Sequence, residues 1–330
     1  MNRNRSVAPD SSPWAVDAEG LQKRFRETHA VDGVSLRVER GSVFGLLGPN
    51  GAGKTTVVRM LTTLLSPDAG RAVVAGFDVV KEPREVRRRI GLVGQYASVD
   101  ELLTGRQNLR MLGRLYGLSS KDARARAEEL LEHFDLVDAA SKIAKTYSGG
   151  MRRRLDLAAS LVLAPPVLFL DEPTTGLDPR SRAATWEVID TLTKDGTTVI
   201  LTTQYLEEAD QFADRIAVID KGRMIAEGTP AQLKAKVAKA TVIIRGSEHI
   251  TPQAALALVG TLGTGVPTIA EDEVRIAVDD IEHAGAILST LAAAGVSLDD
   301  VSFTQASLDD VFFQLTGRTE ASGAQEGAPQ

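Results

Sequence analysis

Two short runs of almost continuous apolar residues are the strongest feature of the hydrophobic pattern. They are Val167–Leu170 and Thr198–Thr202, and such runs are typical of parallel strands buried on both faces. Each run ends at polar residues, which is where an open α/β sheet places its ligand-binding groups. The segment from Val16 to Ala75 is also strand-like, with one predicted helix after Gly53. The pattern therefore predicts an α/β fold with a parallel sheet in its core.

A helical block is inserted into this α/β pattern. Residues from Asp100 to Ala164 are predicted to be helical, and Thr104 with Gln107 makes a capping box that opens the first helix. Beyond about residue 237, alternating strands separated by helical segments predict a small α+β domain. The predicted organisation is a disordered N-terminus over 1–13, an α/β domain over 14–238 with the helical block at about 100–164, an α+β accessory domain over 239–316 and a disordered tail over 317–330.

Composition and charge exclude several classes of protein. The formal net charge is −6, whereas a protein that coats nucleic acid needs a basic surface to neutralise phosphates, so no nucleic-acid partner is expected. The absence of cysteine excludes disulfides, thiolate metal sites and cysteine nucleophiles.

The longest nearly uncharged apolar stretch, Leu157–Leu170, is shorter than the ~20 residues of a membrane-spanning helix. We therefore expect a cytosolic protein without a secretory signal, which needs a partner to act at a membrane.

The segment Gly48-Pro-Asn-Gly-Ala-Gly-Lys-Thr55 fits the phosphate-loop pattern. Its small residues allow backbone N–H groups to surround a β-phosphate, and the N-terminus of the following helix favours the negative charge. Lys54 is predicted to reach the β- and γ-phosphate oxygens, and Thr55 to offer its hydroxyl to Mg²⁺. The alternative is a chance glycine-rich turn, which the preceding apolar strand and the following helix disfavour. The predicted phosphate-binding residues are Gly48, Pro49, Asn50, Gly51, Ala52, Gly53, Lys54, Thr55 and Thr56.

Two adjacent carboxylates follow the first apolar run. Asp171 is placed to hold Mg²⁺ through water, and Glu172 can orient and deprotonate an attacking water molecule. Carboxylates at strand ends are also common for structural reasons, so the signal depends on the phosphate loop upstream. Together the two motifs predict binding and hydrolysis of ATP with Mg²⁺.

A third segment, Tyr147-Ser-Gly-Gly-Met151, precedes a helix that carries Arg152, Arg153 and Arg154. A Ser-Gly-Gly turn at a helix N-terminus can bind an anion. The residues by themselves favour an ordinary turn followed by a solvated basic face.

In this order and spacing, the three motifs resemble the nucleotide-binding domain of ABC ATPases, over about residues 16–236. The resemblance implies an ABC-type P-loop fold with a RecA-like α/β core, an antiparallel β subdomain and a helical subdomain, to which this chain adds the small C-terminal α+β domain. It also implies that Ser148, Gly149 and Gly150 form the signature motif, which contacts the γ-phosphate of ATP held by a second subunit. A head-to-tail homodimer with two bound ATP molecules is therefore expected.

The same resemblance implies three further site residues. Gln95 matches the loop that senses Mg²⁺ and touches a permease, and Phe25 falls where the family places an aromatic ring against adenine; an ordinary strand aromatic is the alternative. Asp178 matches the loop that couples the two ATP sites.

One position departs from the family, which usually has histidine where this chain has Gln204. An amide can donate a hydrogen bond but cannot carry positive charge or shuttle a proton. We therefore expect a working ATPase in which Glu172 activates water more completely; a slow or regulatory ATPase is the alternative.

Most of the chain is similar to the daunorubicin-resistance type of ATPase, the separate subunits of small bacterial drug exporters. This resemblance rests on Gln204, the signature form Tyr147–Asp156, the segment Gly94–Gly105 and the ending Ser307–Gly317. It implies a peripheral protein at the cytoplasmic face of the cell membrane, a separately encoded permease and an exported hydrophobic drug. Polysaccharide or lipid export by the same motor, an importer, a soluble ABC ATPase not linked to transport and a P-loop kinase are the alternatives.

Overall fold

The two apolar runs become neighbouring strands of one sheet. A computed structural model of the protein describes residues 12–94, 99–235, 240–246, 250–263, 267–270, 272–279, 281–296, 301–305, 307–308 and 311–312. The strands are β1 (Trp14–Phe25), β2 (Thr28–Glu39), β3 (Val43–Leu47), β4 (Ala69–Val74), β5 (Phe77–Asp78), β6 (Ile90–Val93), β7 (Val167–Asp171), β8 (Thr198–Thr203), β9 (Arg215–Asp220), β10 (Arg223–Gly228), β11 (Ala240–Arg245), β12 (Thr268–Ala270), β13 (Glu273–Val278) and β14 (Val301–Gln305). The helices are α1 (Lys54–Leu61), α2 (Pro83–Arg87), α3 (Gly105–Leu115), α4 (Ser120–His133), α5 (Gly149–Ser160), α6 (Pro179–Lys194), α7 (Leu206–Phe212), α8 (Pro230–Lys234), α9 (Pro252–Val259) and α10 (Ile281–Ala293).

A six-stranded sheet with the order β10-β9-β3-β8-β7-β6 forms the centre of the first unit. Its pairs β9–β3, β3–β8, β8–β7 and β7–β6 are parallel. Strands β3, β7 and β8 are buried at every position, which explains why their sequences are apolar without alternation. The predicted parallel core is therefore confirmed, and its carboxyl edge carries the polar residues that follow each strand.

A second, four-stranded sheet with the order β2-β1-β4-β5 packs onto this core. Its pairings are antiparallel. One cluster of buried side chains joins Val16 and Val34 of this sheet to Phe44 and Phe169 of the parallel sheet, with Val57 of α1 between them. The shared core holds the β1–β2 hairpin against the start of α1, and this fixes the surroundings of the phosphate loop.

The helical block comprises α3, α4, two short 3₁₀ turns and α5. The predicted capping box is present, since Gln107 N donates to Thr104 Oγ1 at 3.1 Å and Thr104 N donates to Gln107 Oε1 at 2.8 Å. Tyr147, which directly precedes α5, is buried and donates its hydroxyl to the carbonyl oxygen of Ala139 at 2.7 Å. That contact anchors the Ser-Gly-Gly turn to the rest of the block.

A second compact unit comprises residues 228–330. Its sheet has the order β12-β13-β11-β14 with antiparallel pairing, and with α9 and α10 it makes the β-α-β-β-α-β order of a ferredoxin-like fold. The core includes Val242, Ile244, Ile276 and Leu291. This agrees with the predicted α+β class.

The division between the units, after Glu227, lies before the predicted domain boundary at 238. The chain leaves β10 directly into α8, where Gly228 packs closely against Gln232 and Leu233. This short helix groups with the second unit. Residues 1–11 and 317–330 of the predicted disordered ends lie outside the described residues. Pro13, which was also predicted to be disordered, is held in place, since its carbonyl oxygen accepts a hydrogen bond from Arg40 N at 3.0 Å.

Candidate nucleotide-binding site

The phosphate loop connects β3 to α1. Gly51 and Gly53 have positive φ angles of 79° and 109°, a region that side-chain-bearing residues rarely adopt. A Cβ at Gly53 would also overlap the carbonyl oxygen of Ala30 on β2. Glycine is therefore required here both by the positive φ angle and by this close contact. Helix α1 has Gly53 as its N-cap, with no side-chain cap and no acidic residue in its first turn. Its first N–H groups are therefore available to a bound anion.

Lys54 is buried at the bottom of the loop, with 5% of its surface exposed. Its ammonium donates to the carbonyl oxygens of Gly48 at 2.7 Å and Pro49 at 3.1 Å. Burial lowers the pKa of Lys54, while the charges of Glu172 and Asp171 oppose that shift. Phosphate oxygens can replace these neutral carbonyls as acceptors, and hydrogen bonds between charged partners are the stronger ones.

Asp171 is the last residue of β7 and is buried. Its Oδ1 accepts hydrogen bonds from Thr202 Oγ1 at 2.6 Å and from Thr55 Oγ1 at 3.3 Å. The structure thus brings together the motif carboxylate and the phosphate-loop hydroxyl, which are 116 positions apart in the sequence. Thr202 was not among the predicted site residues, although a hydroxyl within an apolar buried strand was a usable signal.

Glu172 begins the turn after β7 in a left-handed conformation, with φ of 51°. Its backbone N–H contacts Thr202 Oγ1 at 3.0 Å, and its Oε2 accepts from Thr175 Oγ1 at 3.3 Å. Non-glycine residues in this region cost roughly 1–3 kcal/mol and concentrate at functional sites. The strained turn directs the chain away from the sheet edge directly after the two carboxylates.

The register of the parallel strands places the motif residues side by side. Leu47 pairs with Thr203, and Asp171 pairs with Thr202. Gly48, Glu172 and Gln204 therefore leave three adjacent strands at one edge, and Gln204 is exposed there. Gln95 lies outside the described residues.

Phe25 is the last residue of β1, opposite Thr28 of β2. Its ring is 48% exposed, and Lys23 Nζ lies 5.9 Å from the ring centroid. The same hairpin contains Ala30, whose carbonyl touches the loop at Gly53. An exposed aromatic ring on the hairpin that adjoins the phosphate loop is suited to stack on a flat heterocycle.

The Ser-Gly-Gly turn opens α5, where Ser148 is the N-cap and accepts a hydrogen bond from Met151 N at 3.2 Å. Ser148 and Gly149 are exposed. Gly150 lies so close to Ser181 that a Cβ would overlap the serine hydroxyl. Ser181 in turn donates to Asp178, the N-cap of α6, from N at 3.0 Å and from Oγ at 2.7 Å, and these bonds lower the pKa of Asp178. The structure thus joins two predicted site motifs through Ser181.

The three arginines of α5 have different surroundings. Arg152 pairs with Glu101 at 2.8 Å, and Arg154 donates to the carbonyl oxygen of Phe134 at 3.0 Å. Arg153 is instead largely buried beside the Asp171–Glu172 turn, with 11% of its side chain exposed, against 34% for Arg152 and 23% for Arg154. The interpretation of these residues as a solvated basic face is therefore wrong for Arg153.

A phosphate loop, a carboxylate pair at the end of a buried parallel strand and a Ser-Gly-Gly helix start, on this sheet topology, define an ATP-binding cassette. Comparison with protein families agrees: residues 31–175 match the ABC transporter family, and residues 228–316 match the family described as ATP-binding protein DrrA1-3-like, C-terminal domain.

The chain is 54% identical to the daunorubicin resistance ATP-binding protein DrrA2 of Streptomyces coeruleorubidus, over 96% of this chain and 99% of that protein. It is 36% identical to the linearmycin resistance ATP-binding protein LnrL of Bacillus subtilis, over 92% of this chain and 99% of that protein. The protein belongs to the ABC transporter ATP-binding subunits of this drug-resistance type, and it is thus an ATP-binding and ATP-hydrolysing protein.

Solved structures give the same family. The cassette cbiO1 from Clostridium perfringens superimposes with a TM-score of 0.64 at 27% identity, over 68% of this chain and 92% of that one. The dimeric cassette MJ0796, bound to ADP and Pi, superimposes with a TM-score of 0.60 at 26% identity, over 65% of this chain and 98% of that one. Among the described residues, none of the helices has the length and apolar character needed to cross a membrane.

Proposed function

We propose that this protein is the MgATP-driven motor subunit of a bacterial exporter, which moves a hydrophobic drug through a separately encoded membrane permease. The observation that carries the proposal is the combination of the phosphate loop and carboxylate pair with drug-resistance relatives that match nearly the full chain, including the second unit. The residues of this chain have distinct roles in ATP binding and hydrolysis.

The loop from Gly48 to Thr56 binds the phosphates of ATP. When ATP enters, Lys54 exchanges the carbonyl oxygens of Gly48 and Pro49 for β- and γ-phosphate oxygens, which compensates the cost of its burial. The open N-terminus of α1 adds N–H donors. Phe25, exposed on the adjoining hairpin, stacks on the adenine ring.

The donor set near Asp171 fits Mg²⁺, which prefers oxygen ligands and usually takes one or two from the protein while phosphates and water supply the rest. Thr55 Oγ1 and Asp171 Oδ1 lie 3.3 Å apart. Thr55 would coordinate the ion directly and Asp171 through water, and Gln95 would complete the set. When bound, the ion neutralises charge that develops on the phosphates.

Glu172 is the general base that orients and deprotonates the attacking water, because it follows Asp171 directly and is partly exposed at the sheet edge. Gln204 donates its side-chain amide to the γ-phosphate from the adjacent strand. Because the side-chain amide of Gln204 does not titrate, Glu172 is the group that accepts the proton of the attacking water.

Replacing Gln204 tests that division of roles. We expect Gln204→Ala to lower kcat for ATP by about 10-fold or more, the effect of losing one hydrogen bond to a charged group. Gln204→His should keep kcat near the native value because imidazole also donates. Steady-state ATP hydrolysis measures both variants, with Gln211→Ala, on the exposed end of α7, as the matched control. An unchanged kcat in Gln204→Ala would contradict the proposed contact.

A second copy of this chain completes each ATP site. Ser148 and Gly149 are exposed, and a helix start without acidic residues in its first turn favours an anion. We therefore propose a head-to-tail homodimer in which Ser148, Gly149 and Gly150 bind the γ-phosphate of the partner's ATP. Asp178, joined to the turn through Ser181, couples the two sites.

The dimer would lie at the cytoplasmic face of the membrane, bound to its permease. Accumulation of daunorubicin in cells that express the chain with its neighbouring permease tests this function. We expect lower accumulation than in cells with the permease alone, and no such decrease with Lys54→Ala. Efflux that persists in Lys54→Ala would refute the motor function.

A different cargo is the second candidate. Nod factor export proteins of Ralstonia nicotianae and Burkholderia thailandensis are 46% identical to this chain, over 66% and 69% of its length. Those matches leave about a third of the chain uncovered, whereas the Streptomyces and Bacillus relatives cover more than nine tenths. Active ATP hydrolysis without drug efflux would favour this candidate.

A further inference from the structure

Arg153 lies five residues after Ser148 on α5, and its side chain points into the protein rather than toward solvent. Burial lowers its pKa, and the carboxylates of Asp156 and Asp171 oppose that shift. A buried cation is costly unless its donors are satisfied. The contacts of this guanidinium therefore indicate its role.

The guanidinium binds backbone carbonyls of two separate segments. Its Nε donates to Pro173 O at 2.9 Å and its Nη1 to Gly94 O at 2.8 Å. Its Nη2 donates to Glu172 O at 3.3 Å and lies 3.5 Å from Asp171 O. The Asp156 carboxylate, on the next turn of α5, lies 3.7 Å from Nη1. One side chain thus holds the turn that carries the catalytic carboxylates and the end of β6.

This turn needs external support, because Glu172 has a left-handed backbone without being glycine. Thr202 holds the N–H of Glu172 from the neighbouring strand, and Arg153 holds the carbonyls of Glu172 and Pro173 from the other side. A planar guanidinium carries several N–H donors that point in different directions, so it can bind all of these carbonyl oxygens at once. A lysine ammonium on a flexible side chain lacks this fixed arrangement of donors.

We infer that Arg153 is a positioning residue that links the Ser148–Gly150 turn to Glu172. The helix whose N-terminus binds the partner's ATP then also determines the position of the Glu172 carboxylate. The inference rests on the proposed dimer. Since Arg153 and Ser148 are on one short helix, a displacement of the Ser-Gly-Gly turn moves the guanidinium and with it the backbone of Glu172. The same guanidinium also holds the carbonyl oxygen of Gly94, directly after β6.

The variants Arg153→Lys and Arg153→Gln test this. We expect kcat to fall by roughly 10- to 100-fold, as for a misplaced catalytic group, while the affinity for ADP changes by less than about threefold because the phosphate loop is untouched. Arg154→Lys, one residue along the same helix, is the matched control and should keep kcat. ADP binding with native affinity shows that a variant is folded.

A double variant separates positioning from general destabilisation. If Arg153 acts through Glu172, then Arg153→Lys adds no further loss to the residual turnover of Glu172→Gln. It should also leave the ATP-dependent dimer of Glu172→Gln intact in light scattering. An additive loss, a lost dimer, or a native kcat in both Arg153 variants would overturn the inference. If Glu172→Gln itself hydrolyses ATP normally, it is the proposed function that fails.

Discussion

Glu172→Gln is expected to remove nearly all ATP turnover while ATP still binds. The substitution keeps the size of the side chain and can keep the contact with Thr175 at 3.3 Å, but the amide cannot accept a proton. General bases contribute typically 10²- to 10⁴-fold to rate, so we expect kcat to fall by about that factor. With a neutral Gln204 on the adjacent strand, no histidine there can take over the base function.

ATP hydrolysis and equilibrium ATP binding, measured on the same preparation, check this expectation. Glu207→Gln is the matched control, because Glu207 is an exposed carboxylate in the first turn of α7 near the same sheet edge. It should hydrolyse ATP like the native chain. Near-native turnover in Glu172→Gln would exclude Glu172 as the base.

Lys54→Ala is expected to remove ATP binding itself. The ammonium is the buried cation of the phosphate loop, and hydrogen bonds from a charged donor are worth about 1.5–3 kcal/mol each. Loss of even one such bond to phosphate weakens binding by roughly 10- to 100-fold. The nucleotide-free fold should be little affected, because removal of the cation also removes its burial cost.

Thermal unfolding with and without ATP separates these effects. A ligand that binds only the folded state raises its stability by about 2.7 kcal/mol at 100 times Kd. The native chain should therefore show an ATP-dependent rise in Tm that Lys54→Ala lacks. Lys194→Ala, which removes an exposed lysine paired with Asp190 on α6, should keep the full rise. An undiminished rise in Lys54→Ala would contradict the phosphate-binding role.

Local signals were sufficient wherever neighbouring residues alone determine the conformation. The buried strands β7 and β8 were visible as apolar runs because both of their faces are covered. The capping box of α3 was visible because both of its partners lie within four residues. The phosphate loop was visible because its backbone requires glycine at Gly51 and Gly53. For the Ser148 turn, the residues alone favoured an ordinary turn, and only the family resemblance gave it a role.

Contacts between segments that are far apart in the sequence could not be predicted from such local patterns. Thr202 holds both Asp171 and Glu172, yet nothing near it in the sequence indicates which strand lies beside it. Arg153 looks like its neighbours Arg152 and Arg154 along the chain, but only its side chain reaches Gly94 and Pro173. The division after Glu227 could not be read from the sequence either, because a short helix directly after β10 leaves no break in the pattern.

The sequence by itself determined the class of chemistry: a glycine-rich loop with Lys54 and Thr55 between an apolar strand and a helix, together with a carboxylate pair after a second apolar strand, predicts ATP binding. Only the tertiary structure decided which residues support those groups and how the motifs are joined. Strand register brings Thr202 to Asp171, and helix packing brings Arg153 to the Glu172 turn. The physical reason is that a local conformation is set by its own residues, whereas a partner across the fold is chosen by the packing of the whole core.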